Sequence, residues 1–190
     1  MADQRQSKVS KEGSKWEKRV IDILCSDERI RNNAYVVKGT NNEAQEYITD
    51  KGGVKIPTKD LKIEYEVNGT IKTYLIDNDI VVYSKVKGKI VCVISVKKSL
   101  RERAAQTAYW MLKKKEAGKD FKYIFVTPDV DRELYNPENP TRISTKWRNI
   151  LTAEMDGVFV VGDEQNRQPY QDGKFYVGNA HLVDFVRRLL

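Results

Sequence analysis

From Ser14 onward, Trp16, Val20, Ile23 and Leu24 recur at the spacing of one helix face, which predicts a helix running to about Ser26 or Arg31. Ala34 to Val37 is apolar enough for a short strand. Residues 38–60, KGTNNEAQEYITDKGGVKIPTKD, are polar, rich in Gly and Asn and without a period, and read as a long loop with one helical turn around Glu43 to Tyr47. Leu61 to Val67 and Thr70 to Ile76 are β-rich runs around Asn68-Gly69, the dipeptide that best tolerates the positive φ of a tight hairpin. Ile80 to Tyr83 reads as an extension of the second run beyond Asp79, and SKVKGK makes the next turn. Lys89 to Val96 is apolar on both faces, as a strand central in its sheet must be.

Leu100, Ala104, Ala108 and Met111 then mark a helix ending near Gly118, followed by a buried strand from Phe121 to Thr127 that Pro128 stops. A strand, helix, strand unit predicts a parallel pair, so the sheet is mixed. Residues 128–144 hold three of the five prolines and read as an exposed loop. A helix around Thr145 to Met155, a strand from Gly157 to Val161, a turn-rich stretch over 166–178 and a last helix from Ala180 with Leu182, Val186 and Leu189 complete the chain. Neither an internal repeat nor a low-complexity tract interrupts this order.

Length and charge narrow the function classes. At 190 residues the chain suits one domain over 1–190, with residues 1–13 as a flexible basic arm. No stretch approaches a membrane span, and the polar N-terminus lacks the apolar core of a secretory signal, so a cytoplasmic location is expected. Cys25 and Cys92 sit among apolar neighbours and read as buried free thiols. The excess of 34 Lys and Arg over 27 Asp and Glu favours a polyanionic partner, nucleic acid before membrane. The single histidine, His181, lies near the C-terminus, which argues against catalytic triads and histidine-rich metal clusters. Catalysis in this chain has to run on carboxylates, lysine and a hard metal.

Such chemistry has a natural place here. A metal-dependent phosphodiesterase needs a carboxylate to hold the cation beside the phosphate, and a lysine to position the attacking water and offset developing charge. Asp79 enters one apolar run, and Lys97 ends another eighteen residues later, so a hairpin brings both to one cleft. Ser95 shares a strand face with Lys97, and the Val96 carbonyl is a natural extra metal ligand. Asp77 reads either as a turn residue or as a second metal ligand. A partly buried salt bridge is the purely structural alternative for Asp79 and Lys97.

With Asn78-Asp79 in place of Pro-Asp and Ser95-Val96-Lys97 in place of (D/E)xK, the arrangement resembles the PD-(D/E)xK nuclease superfamily. That family has a helix, three antiparallel-connected strands, a helix and a parallel strand, the order read from Ser14 to Thr127. The resemblance implies an α/β fold with a restriction-endonuclease-like core: a mixed central β-sheet flanked by helices. It also implies a Mg²⁺-dependent endodeoxyribonuclease acting on double-stranded DNA. The run ISVKKSLRERAAQTAYW looks most like type II restriction endonucleases, whereas KEGSKWEKRV is similar to the opening of Holliday-junction resolvases, in which a glutamate matching Glu17 joins the metal site.

Ser95 departs from the pattern because it carries no charge. Some restriction enzymes with serine there recruit a glutamate from the following helix, and Glu102, on a stripe with Gln106 and Tyr109, is the candidate. Ser99-x-x-Glu102 and Ser14-x-x-Glu17 also fit capping boxes, which would make each glutamate a helix-start residue. Arg101 and Arg103, with Gln106 and Tyr109, are the candidate DNA contacts, and an ordinary solvated helix face is the alternative. Cutting both strands implies a homodimer, or a larger recognition subunit as in heterodimeric type IIS enzymes. The rival readings are a Holliday-junction resolvase-like nuclease and a catalytically inactive DNA-binding module.

Overall fold

The computed structural model describes residues 2–98, 100–139, 145–162 and 169–190; side chains are described from Gly13 onward, those of Arg101 and Glu102 excepted. Helices α1 (Ala2–Ser26) and α2 (Glu28–Asn33) lead into strand β1 (Ala34–Lys38). Two hairpins follow, β2 (Tyr47–Thr49) with β3 (Lys55–Pro57), and β4 (Lys62–Val67) with β5 (Thr70–Leu75). Then come β6 (Ile80–Ser84), β7 (Lys89–Val96), helix α3 (Arg101–Glu116) and β8 (Lys122–Thr127). The chain closes with α4 (Lys146–Glu154), β9 (Gly157–Val160), β10 (Tyr170–Asp172), β11 (Phe175–Val177) and α5 (Asn179–Arg187).

The central sheet has seven strands in the order β1-β6-β7-β8-β9-β11-β10. The β1/β6, β6/β7 and β10/β11 pairs are antiparallel, and β7/β8, β8/β9 and β9/β11 are parallel, so the sheet is mixed as expected. Strand β7 is buried at every position after Lys89 because both of its faces are covered. Cys92, Ile94 and Val96 pack with Val20 and Leu24 of α1 and Leu182 and Val186 of α5. On the opposite face Val93 joins Ala104 and Met111 of α3 and Leu151 of α4. The result is a three-layer α/β core.

The structure corrects the strand assignment. The first strand of the antiparallel meander is Ala34–Lys38 instead of Leu61–Val67, and the second run is broken at Ile76–Asp79. Hairpin β4/β5 forms a separate two-stranded sheet, with the Asn68-Gly69 turn at φ 52° and 73°. Its strands carry Glu64, Glu66 and Lys72 exposed, and a doubly covered sheet cannot bury such charges cheaply. Only β6, with Ile80, Val81 and Val82 fully buried, can sit inside.

Other expectations shift as well. Helix α1 begins at Ala2, ahead of Ser14, since the preceding residues contain no proline and several good helix formers. Ser14 therefore lies inside a helix, and the capping-box reading of Ser14 and Glu17 fails. Residues 38–60 carry hairpin β2/β3, followed by a short 3₁₀ turn at Lys59–Leu61, in place of a long loop with one helical turn around Glu43 to Tyr47, where Tyr47 instead opens β2. The 166–178 stretch holds the short strands β10 and β11.

Within 128–139, the carboxylate of Asp129 accepts backbone N–H bonds from Glu133, Leu134 and Tyr135, so Asp129, Leu134 and Tyr135 are buried, while 130–132 and 137–139 are exposed as expected. Residues 140–144 lie outside the described set. Both cysteines are free, Cys92 buried and Cys25 half-buried.

Candidate active site

The pairing of β6 with β7 decides which side chains meet. Its register, Ile80 against Ile94 and Val81 against Val93, continued past the end of β6 sets Asp79 opposite Ser95 and Asp77 opposite Lys97. All four share the sheet face that α3 covers. Lys97 Nζ lies 2.8 Å from Asp79 Oδ2 and 2.9 Å from Asp77 Oδ2. The Val96 N–H donates to the same Asp79 oxygen at 2.7 Å. Val96 is thus tied to the site through its amide.

Ser95 is fully buried, and its Oγ donates to Asp77 Oδ2 at 3.3 Å and lies 3.2 Å from Thr107 Oγ1 of α3. Thr107 in turn donates to the Arg103 carbonyl at 3.0 Å. The buried Tyr123 of β8 donates its hydroxyl to the Asp77 carbonyl at 2.9 Å. Sequence reasoning missed Thr107 and Tyr123. Both sit at core positions of their elements, and only the parallel placement of β8 beside β7 brings a tyrosine under Asp77.

A second set of contacts fixes the connection that carries the two aspartates. Asn78 accepts the Thr40 N–H at 2.9 Å and donates to the Thr40 and Ile76 carbonyls at 3.0 and 2.6 Å. The Gly39 N–H donates to the Asp79 carbonyl at 2.9 Å. A Cβ on Gly39 would stand 1.7 Å from the Asn78 carbonyl oxygen, so only glycine allows this approach.

The electrostatics follow from one cation shared by two anions. Burial raises Asp79 above its ordinary 3.8; Lys97 pulls it back in part, and Asp77 pushes it further up. Burial works against the charge on Lys97, but Asp79 and Asp77 outweigh it and hold the lysine above 10.5. The Tyr123 hydroxyl is pushed well above its usual range by burial and then by both aspartates, so it stays a donor. An excess negative charge therefore remains among oxygen donors at the floor of a cleft.

That cleft, about 560 Å³, is lined by Asp77, Asn78 and Asp79, by Glu17 and Lys38, and by Gln106 and Trp110 of α3. Glu17 is paired with Lys38, its Oε2 2.8 Å from Lys38 Nζ. Gln106 reaches the cleft, while Tyr109 is exposed beside it, 3.2 Å from Tyr65 Oη and edge-on to Trp110. Arg103 is exposed. The side chains of Arg101 and Glu102 lie outside the described residues, and so does Ser99. Among the described residues no group of three or more His, Cys, Asp or Glu side chains is placed to hold a metal.

Comparison with known proteins gives these residues a context. A family model described as BsaWI restriction endonuclease type 2 matches residues 45–177. The chain is 40% identical over 96 residues to a protein of Methanocaldococcus jannaschii named as type II restriction enzyme MjaVIP, covering 48% of this chain and 42% of that one. It is 32% identical over 140 residues to a protein of Helicobacter pylori named as type II restriction enzyme HpyAORF263P, covering 72% of this chain and 67% of that one. The chain thus spans less than half of the first relative and about two thirds of the second. A solved structure of a pre-specific restriction endonuclease BsaWI-DNA complex is similar over all of this chain and 68% of its own, at 14% identity and TM-score 0.49. No helix among the described residues is long and apolar enough to cross a membrane.

Proposed function

Because the chain belongs to the BsaWI family of type II restriction endonucleases, we propose that it is a Mg²⁺-dependent, site-specific endodeoxyribonuclease that hydrolyses phosphodiesters of double-stranded DNA. The observation that carries the reading is the contact of the buried Lys97 with both Asp79 and Asp77, two carboxylates that line an open cleft. The sequence also carries a formal net charge of +7, which suits a polyanionic substrate.

The donor set fits Mg²⁺, which prefers oxygen ligands and is commonly held by one or two carboxylates while keeping several waters. Asp79 and Asp77 would hold the cation, with the Val96 carbonyl as a further oxygen donor. Bound Mg²⁺ supplies Lewis-acid polarisation of the phosphate and a water of lowered pKa.

The residues of the chain then do the positioning. Lys97, held protonated by its two neighbours, donates to the attacking water and to the phosphate oxygens, whose charge grows as the water oxygen bonds to phosphorus and the P–O bond to the leaving alcohol breaks. The Val96 amide and the Asn78 contacts keep Asp79 in place during that exchange. Gln106, with Arg101 and Arg103 before it and Tyr109 after it on α3, would meet the DNA. A homodimer or a partner recognition subunit would provide the second site for double-strand cleavage.

Family membership favours this reading over a structure-specific resolvase. Purified protein incubated with plasmid DNA, genomic DNA and a synthetic four-way junction, each in Mg²⁺ or in EDTA, tests it. Discrete fragments or a single nicked form in Mg²⁺ alone are expected, and a random smear or preference for four-way junctions over linear duplex would count against it.

A further inference from the structure

We propose that the carboxylate missing at position 95 has moved to Asp77, so that Asp77 and Asp79 form the metal-holding pair, with Ser95, Thr107 and Tyr123 as the residues that position Asp77. This deepens the nuclease reading and rests on it for the identity of the reaction, while its own content is which side chains bind the cation.

The geometry points to Asp77 because its carboxylate stands beside the place where an acid at position 95 would put one. The Oγ of Ser95 occupies the place of the γ-carbon in an aspartate there, and the carboxylate oxygens of such a residue would reach about 1.2 Å further. Asp77 Oδ2 lies only 3.3 Å from that Oγ, on the line of its hydrogen bond, and 2.9 Å from Lys97 Nζ. Two carboxylates cannot share this space, because at such separation like charges cannot both stay ionised. Serine at 95 is therefore the residue that an acid at 77 requires: small enough to leave the room, and able to donate a hydrogen bond into it.

The surroundings are arranged for Asp77 from three sides. Ser95 Oγ is fully buried and braced by Thr107 Oγ1 at 3.2 Å, which is itself anchored on the Arg103 carbonyl. Tyr123 pins the Asp77 backbone through its carbonyl at 2.9 Å. On the far side the Asn78 amide holds the same connection to Ile76 and Thr40.

The test moves the charge and reads metal binding apart from cleavage. Mn²⁺ affinity is measured by electron paramagnetic resonance of the free aquo ion on the full chain, for the wild type, Asp77→Asn, Glu102→Gln, Ser95→Asp, Asp77→Ser and the double variant Asp77→Ser with Ser95→Asp. Thermal unfolding confirms that each variant is folded. Asp77→Asn and Asp77→Ser are expected to weaken Mn²⁺ by about 10- to 100-fold, the scale on which disturbing a metal site acts. Glu102→Gln is expected to stay within about threefold, and the double variant to regain most of the loss in Asp77→Ser.

Wild-type affinity in Asp77→Asn, a loss in Glu102→Gln as large as the roughly 10- to 100-fold expected of Asp77→Asn, a double variant no better than Asp77→Ser, or a wild type that takes up no Mn²⁺ would each overturn the assignment. DNA cleavage is scored in parallel. Metal binding that follows the charge in a protein that cuts no DNA defeats the nuclease reading and leaves the Asp77 assignment standing. Cleavage that survives Asp77→Asn does the reverse.

Discussion

Lys97 Nζ lies 2.8 Å from Asp79 Oδ2, with the lysine 6% and the aspartate 19% exposed, and a second carboxylate, Asp77, competes for the same ammonium. Removing the lysine would leave two half-desolvated anions side by side. Lys97→Ala is accordingly expected to lose about 3 kcal/mol of stability near pH 7, the scale for breaking a buried pair. Millimolar Mg²⁺ should restore a large part of that loss. Urea unfolding with and without Mg²⁺ measures both effects, and a variant whose midpoint ignores the cation would show that the carboxylates do not form a metal site.

The pH dependence has a definite sign. Asp79 sits above its ordinary 3.8 in the folded protein, so folding favours its protonated form, and the associated stability is present at low pH and lost as pH rises from the ordinary value through the raised one. Lys97 sits above 10.5, so its contribution is full below 10.5 and is lost only as pH rises through the higher folded value. Mn²⁺ affinity should therefore decline on acidification at a higher pH than an unperturbed aspartate would give. Between neutrality and about pH 10 no alkaline loss from Lys97 is expected. A titration of metal affinity against pH reads the first limb, and Asp77→Asn should shift it downward, because the Asp77 charge helps raise Asp79.

Gly39→Ala tests the close approach behind the site. The added carbon would stand 1.7 Å from the Asn78 carbonyl oxygen, which forces the Ile76 to Asp79 connection away from β1. A loss of about 2 to 3 kcal/mol follows from overpacking of this kind. Any residual cleavage should fall further than the melting temperature alone explains, because Asp79 moves with its neighbour. Thermal unfolding monitored by circular dichroism, alongside cleavage at a temperature where the variant stays folded, separates the two.

Much of this site was legible in the chain before its fold was known, for a physical reason. Asp79 and Lys97 are charges at the ends of apolar runs, where burial is tolerable only with a partner, and Asn68-Gly69 announces its hairpin through backbone freedom alone. The break at Ile76–Asp79 was not legible, because Ile76 and Ile80 look like one strand in a period-two pattern and only the separate sheets of β5 and β6 divide them. Thr107 and Tyr123 were hidden for a related reason. A buried hydroxyl reads as core until the neighbouring strand is known, and β7 and β8 become neighbours only through the crossover made by α3. Asp129 gave no sign of its three backbone bonds either, since such turns depend on local geometry more than on composition.

Tyr123→Phe keeps the ring and removes one hydroxyl, the donor at 2.9 Å to the Asp77 carbonyl. The expected cost is about 1 kcal/mol of stability, the worth of a buried hydrogen bond. Mn²⁺ affinity should weaken by several-fold, since Asp77 then rests on Ser95 and Lys97 alone. Ser95→Ala should act in the same direction. Equal metal affinity in both variants and the wild type would remove them from the positioning role.

The most direct measurement is the rate of plasmid cleavage in Mg²⁺ by the wild type beside Lys97→Ala, at equal concentration and with folding of each verified. The wild type should produce discrete products that EDTA abolishes, and the variant should be slower by about 10²- to 10³-fold, the usual effect of losing one preorganised donor to a developing charge. A Lys97→Ala protein that cuts at the wild-type rate would contradict the assignment of this cleft as the site of cleavage.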